Sequence, residues 1–170
     1  MKLALATLAL ATTLAVPAQQ APAHTVTTFN LTVALPYAEA AKLFGPEGER
    51  VWATDGWNPH FLYPQPAHDT EGAVFTTTHG PHTVVWVNTL FDLNARHFQY
   101  VHILPEVQAV TIDVRFTPTD AHHTAVAVTY TRTALSTDFN DMVTRDAKND
   151  ATSGPDWQHQ IETYLSSQSK

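Results

Sequence analysis

The sequence contains no cysteine. Disulfide scaffolds, thiol nucleophiles and cysteine-ligated metal sites are therefore excluded. Positive charge is scarce: nine Lys and Arg stand against sixteen Asp and Glu, a net charge of −7. Without a basic patch the chain has no means of neutralising a phosphate backbone, which argues against a nucleic-acid partner. Anionic membrane surfaces are disfavoured for the same reason. There are only six glycines, and neither a GxGxxG nor a GK[ST] pattern occurs, so no phosphate-cradling loop and no nucleotide cofactor is implied. No GxSxG is present either, which leaves a serine nucleophile unsupported. Charged residues make up 15% of the chain and hydrophobic ones 44%, a balance that suits a packed domain rather than disorder.

The N-terminus reads as a leader. Met1-Lys2 is followed by an uncharged run from Leu3 to Val16, with small residues at Val16-Pro17-Ala18 and Ala21-Pro22-Ala23. The run is shorter than the roughly 20 apolar residues that span a bilayer. This pattern is that of a secretory signal peptide over residues 1–23, cleaved after Ala18 or Ala23. It predicts an exported bacterial protein, periplasmic or secreted. No later stretch is apolar enough to cross a membrane as a helix, so the protein is not expected to be membrane-integral. The remaining 24–170 is long enough for one domain with its own core.

Along that domain, Thr25 to Leu35 alternates and is rich in β-branched residues, predicting a first strand. Pro36 opens a short helix that Gly45-Pro46 stops, and Pro46 to Trp52 predicts a second one. Strand patterns then recur over Phe61–Tyr63, Ala73–Thr78, Thr83–Phe91, Arg96–Leu104, Val107–Thr117 and Thr124–Ala134. The short turns between them indicate an antiparallel meander. Val110, Ile112, Val114 and Phe116 alternate with polar neighbours, so one face is apolar and the other wet. Helical spacing returns after Ser136 and is interrupted at Gly154-Pro155, giving either one kinked helix or two. The class is α+β in the order β-α-α-β6-α, a curved antiparallel sheet covered by its C-terminal helix.

Phe44 to Pro64 is the densest part of the chain in aromatic and turn residues, with Trp52, Trp57 and three of the six glycines. Its Phe44, Gly48-Glu49-Arg50, Trp52, Gly56-Trp57, Pro59 and Tyr63-Pro64 stand in one order with Gly72 to Thr77, Trp86 and Thr129 to Ser136. With them the chain resembles bacterial members of the START-like, or SRPBCC, superfamily. That superfamily has the helix-grip fold of the Bet v 1 allergens, polyketide cyclase/dehydrase-like proteins and lipid-transfer domains. The resemblance runs over about residues 26 to 165. It implies a seven-stranded antiparallel sheet gripping a long C-terminal helix, with a hydrophobic cavity between them. The signal peptide and the Gly154-Pro155 break depart from the pattern.

Within such an interior the candidate ligand-binding residues are Phe75, Trp86, Tyr100, His102, Tyr130 and Arg132 from the strands, Met142 from the helix, and Trp57, which follows Gly56 at the expected cavity rim. Trp86 is ambiguous, because both faces of its strand are apolar. Arg132 keeps the parity of Tyr130 and suits a ligand carboxylate. Glu49 and Arg50 read as a structural ion pair beside Trp52. His79, His82, His122 and His123 lie at turns and read as solvated rather than metal-binding, and no metal is expected. The expected function is binding of a small hydrophobic molecule, lipid or polyketide-like. The alternatives are a cyclase or aromatase using Tyr130, His102 or Arg132, and a structural or partner-binding domain with a filled core.

Overall fold

A computed structural model describes residues 20–54, 56–80 and 82–168. The leader expectation, up to residue 19, lies outside the described residues. Those described form a seven-stranded antiparallel sheet in the order β1-β7-β6-β5-β4-β3-β2. The strands are β1 His24–Val33, β2 His60–Tyr63, β3 Val74–His79, β4 His82–Asp92, β5 His97–Leu104, β6 Gln108–Pro118 and β7 Thr124–Ala134. From β2 onward each strand pairs with the next, and β1 closes onto β7 with Phe29 opposite Val128. β5 begins one residue later than the sequence pattern suggests. Arg96 takes a positive φ of 56° in the preceding turn, a conformation incompatible with a strand. That turn is held by the Asp92 carboxylate, which accepts from the Asn94 and Ala95 amides at 2.8 Å each.

The alternation seen in the sequence sets the two faces. Val110, Ile112, Val114 and Phe116 are buried on the concave side with Val126, Val128, Phe98 and Tyr100. Trp86 is buried on the same side, which settles its parity. Between β1 and β2 run α1 (Tyr37–Ala40), a 3-10 turn over Ala41–Leu43 and a second 3-10 turn over Gly48–Val51. The C-terminal cover is two helices, α2 Asn140–Asp150 and α3 Ser153–Gln168, not one long helix. The break falls at Ala151-Thr152, and Gly154-Pro155 sits in the first turn of α3. A proline is tolerated there because the early amides of a helix have no intrahelical acceptor. Gly154 is fixed by packing: a Cβ would lie 2.6 Å from the Asn30 carbonyl oxygen of β1.

Both C-terminal helices pack on β1, and α2 also reaches β7. Asn140, buried at the start of α2, accepts from the Ala23 amide at 2.6 Å and donates to the Ala21 carbonyl at 3.0 Å. Among the described residues no helix is long and apolar enough to cross a membrane.

Candidate functional site

A cavity of about 260 Å³ lies between the concave face and the helical cover. Its walls come from Pro46 to Trp57, from β3 to β7, and from Trp157 and Gln160 of α3. All four tryptophans of the chain, Trp52, Trp57, Trp86 and Trp157, line it. Trp57 packs edge-on to Trp86 at 5.5 Å, and Phe75 stacks on Trp86 at 5.7 Å. Trp52 and Trp157 form a second aromatic group at 5.3 Å. Three indole nitrogens are satisfied by protein: Trp52 donates to Leu43, Trp57 to Pro46 and Trp86 to the Thr77 hydroxyl. These bonds fix ring positions without turning a donor into the cavity.

Of the eight candidates, Trp57, Phe75, Trp86, Tyr100 and Tyr130 line this space. His102, Arg132 and Met142 do not. His102 has the inward parity, opposite Trp86 and Val110, but its ring lies 4.1 Å from that of Trp86, behind the cavity wall. Arg132 is not turned to a ligand. It forms a bidentate pair with Asp150 of α2, at 2.6 and 2.9 Å, and also bonds Gln108. Met142 is half-buried, while α2 buries Asn140, Val143, Ala147 and Asp150. Of the three groups named for the enzyme reading, Tyr130 lines the cavity, and His102 and Arg132 do not.

The Glu49-Arg50 pair is also corrected. Arg50 bonds Glu47 at 2.7 Å, Asn58 at 2.8 Å and the Pro59 carbonyl. In a 3-10 turn, residues three apart lie on one line while neighbours diverge. Glu47 thus meets Arg50, and Glu49 points the other way, into the cavity. No hydrogen bond or ion pair among the described residues reaches the Glu49 carboxyl. Burial pushes its pKa up from 4.5 to about 8, helped by the negative charge of Asp69.

The turn that presents Glu49 is tightly built. Asp69 accepts from the Glu47 amide at 2.9 Å and from the Gly48 amide at 3.1 Å. Burial raises the Asp69 pKa as well, and those two amide bonds oppose the rise. A side chain at Gly48 would overlap the Lys42 carbonyl. Tyr100 donates to the Phe44 carbonyl at 3.2 Å; burial first, then Glu49 and Asp69, hold its phenol well above the usual range. Tyr130 is raised in the same way, by burial and then by Glu49 and Asp150, against the lowering effect of Arg132. Among the described residues, no Lys, Arg or His lines the cavity. Among the described residues, no three His, Cys, Asp or Glu side chains converge as a metal site.

No family model matches the sequence, and no curated protein does. Solved structures do match. A truncated norcoclaurine synthase from Thalictrum flavum is 13% identical with a TM-score of 0.61, over 86% of this chain and 96% of that one. Ara h 8.0201 is 16% identical with a TM-score of 0.61, over 85% and 99%. A Thermobifida fusca protein is 18% identical with a TM-score of 0.60, over 82% and 92%. At these identities the likeness is one of fold. The chain has the helix-grip fold of the Bet v 1 type.

Proposed function

We propose that this is an exported binding protein for a compact, largely aromatic small molecule held between sheet and helices. The observation that carries the reading is the 260 Å³ cavity with all four tryptophans in its walls. Its size sits just under the roughly 300–1,000 Å³ of sites for drug-sized ligands. A molecule of one or two rings suits it better than a two-chain lipid. Polyketide-like compounds of that size remain within the class. The same fold holds dopamine and hydroxybenzaldehyde in the Thalictrum flavum norcoclaurine synthase. Export rests on the leader pattern of residues 1–23.

Titrating the protein with indole or naphthalene while following tryptophan fluorescence tests the reading. Saturable quenching that Phe75→Trp blocks supports it, because the larger ring would fill the space. Quenching that is linear, or unchanged by that substitution, overturns it. A second reading, proton-transfer catalysis, is favoured by one observation. Glu49 is a carboxyl poised near neutral pH inside an apolar site, as a general acid must be. A substrate turned over by the protein and not by Glu49→Gln would establish it.

A further inference from the structure

The cavity contains an imbalance that an aromatic ligand alone does not explain. Glu49 is held inside it with no partner, on a turn whose geometry Gly48 and Asp69 both enforce. A carboxyl kept for structure acquires a donor when it is buried. The nearest guanidinium in sequence, Arg50, is fully engaged elsewhere. Arg132 is committed to Asp150. Among the described residues the remaining lining has no basic group to balance Glu49, and Asp69 adds a second acidic group beside it.

The cavity that Glu49 lines is also lined by four indoles and the Tyr100 ring. Indole faces are the strongest aromatic partners of a cation. An acid in an indole-lined cavity, with no basic side chain among the described lining residues, is complementary to positive charge on an apolar body.

We propose that the cavity takes an organic cation, an amine or quaternary ammonium carrying a compact aromatic group, with its charge set against Glu49 and the indole rings. This rests on the reading of the cavity as a ligand site and assigns the ligand's charge. An anionic ligand, which an inward Arg132 would have served, is disfavoured by the same geometry. Binding ionises Glu49, so each cation that enters displaces a proton. The titratable groups facing Glu49 are Asp69, Tyr100 from β5 and Tyr130 from β7, with the Arg132–Asp150 pair behind Tyr130. Neither phenol ionises near neutral pH, because both are shifted upward.

The test uses the whole protein and two probes of one shape. One is trimethyl(2-phenylethyl)ammonium, whose charge does not vary with pH. The other is its uncharged carbon isostere, (3,3-dimethylbutyl)benzene. Tryptophan fluorescence reads both directly. The cation is expected to bind about tenfold tighter or more, as befits a desolvated cation–π site with an acidic partner. Glu49→Gln should remove that advantage and leave the isostere's affinity unchanged. On the unaltered chain, calorimetry in two buffers of different ionisation enthalpy should show proton release near pH 7 with the cation and none with the isostere. If the isostere binds as well as the cation, the cation assignment falls and the cavity stands as a neutral-ligand site. If neither probe binds, both readings fall together. Tighter cation binding that survives Glu49→Gln and releases no proton overturns the role given to Glu49.

Discussion

Arg132 and Asp150 face each other across the sheet–helix junction, with Nε to Oδ2 at 2.6 Å and Nη2 to Oδ1 at 2.9 Å. Each side chain is only 11% exposed. The pair ties β7 to the end of α2, just before the break that leads to α3. Removing one partner leaves the other charge buried and unpaired, which costs about 3 kcal/mol or more. Asp150→Ala and Arg132→Ala are each expected to lower the unfolding free energy, measured by urea titration, by that amount. The double variant should be less unstable than the two single effects combined predict. Because neither residue lines the cavity, ligand affinity measured on the folded fraction should hold within about threefold.

Trp52 and Trp57 divide stability from binding. Trp52 is 5% exposed, and its indole donates to a buried carbonyl. Truncating it to alanine leaves a cavity and an orphaned acceptor, a loss of about 3–5 kcal/mol. Trp57 is only partly buried and packs on Phe75 and Trp86 in the cavity wall. Trp57→Ala should lose less stability, about 1–2 kcal/mol, and most of the affinity for an aromatic probe. Thermal melts and probe titrations on both variants separate the two effects. An exchange of the two phenotypes would mean the segment is oriented wrongly.

Glu49 should make stability depend on pH in an unusual direction. Its pKa is about 8 when folded against 4.5 ordinarily. Between those values the folded chain keeps a proton that the unfolded chain has lost. The stability linked to Glu49 is therefore complete below about pH 4.5 and is lost as pH rises through about 8. The full effect is on the order of 5 kcal/mol. Glu49→Gln, which never ionises, should match the parent near pH 4 and exceed it near pH 9. Asp69, also raised, leaves a smaller slope of the same sign in the variant. Urea midpoints collected across that range decide the matter, and identical slopes in the two proteins would contradict the shift.

Thr54 and Gln160 line both the cavity and a shallower outer groove along α3. The Thr54 amide donates to Gln160 at 3.3 Å, bridging the wedge before β2 to the helix. Gln160→Ala removes that partition. Ligand association and dissociation should both accelerate by about threefold to tenfold, with little change in affinity, since no contact to bound ligand is required of it. Stopped-flow fluorescence reads both rates.

The strands were legible because their period is two and one face is wet. β7, Thr124–Ala134, is found with the limits the pattern predicts. Parity also placed Tyr100, Tyr130 and Arg132 on the inner face. Parity does not say which neighbour a side chain meets along that face. Arg132 lies nearer the α2 end of β7, where an acid 18 residues away reaches it. Glu49 was hidden for a different reason. Adjacent opposite charges read naturally as a pair, and only the 3-10 geometry of Gly48–Val51 sends them apart. Met142 differs from its buried neighbour Val143 by one helical step of about 100°, a distinction that spacing alone blurred. The helix break moved from Gly154-Pro155 to Ala151-Thr152 because Pro155 fits an early helical position.

The Asn140 side chain bears on the leader cleavage proposed above. Its amide grips the backbone of Ala21 and Ala23 from a buried position. The leader pattern offers two scissile bonds, after Ala18 and after Ala23. A cut after Ala23 would carry both of those anchors away with the leader, leaving the Asn140 amide without partners at a loss of about 1–3 kcal/mol. A cut after Ala18 keeps the grip intact and gives a mature chain beginning at Gln19. If the protein is exported as proposed, intact mass of the processed chain should report that start, and Asn140→Ala should loosen the new N-terminus to aminopeptidases.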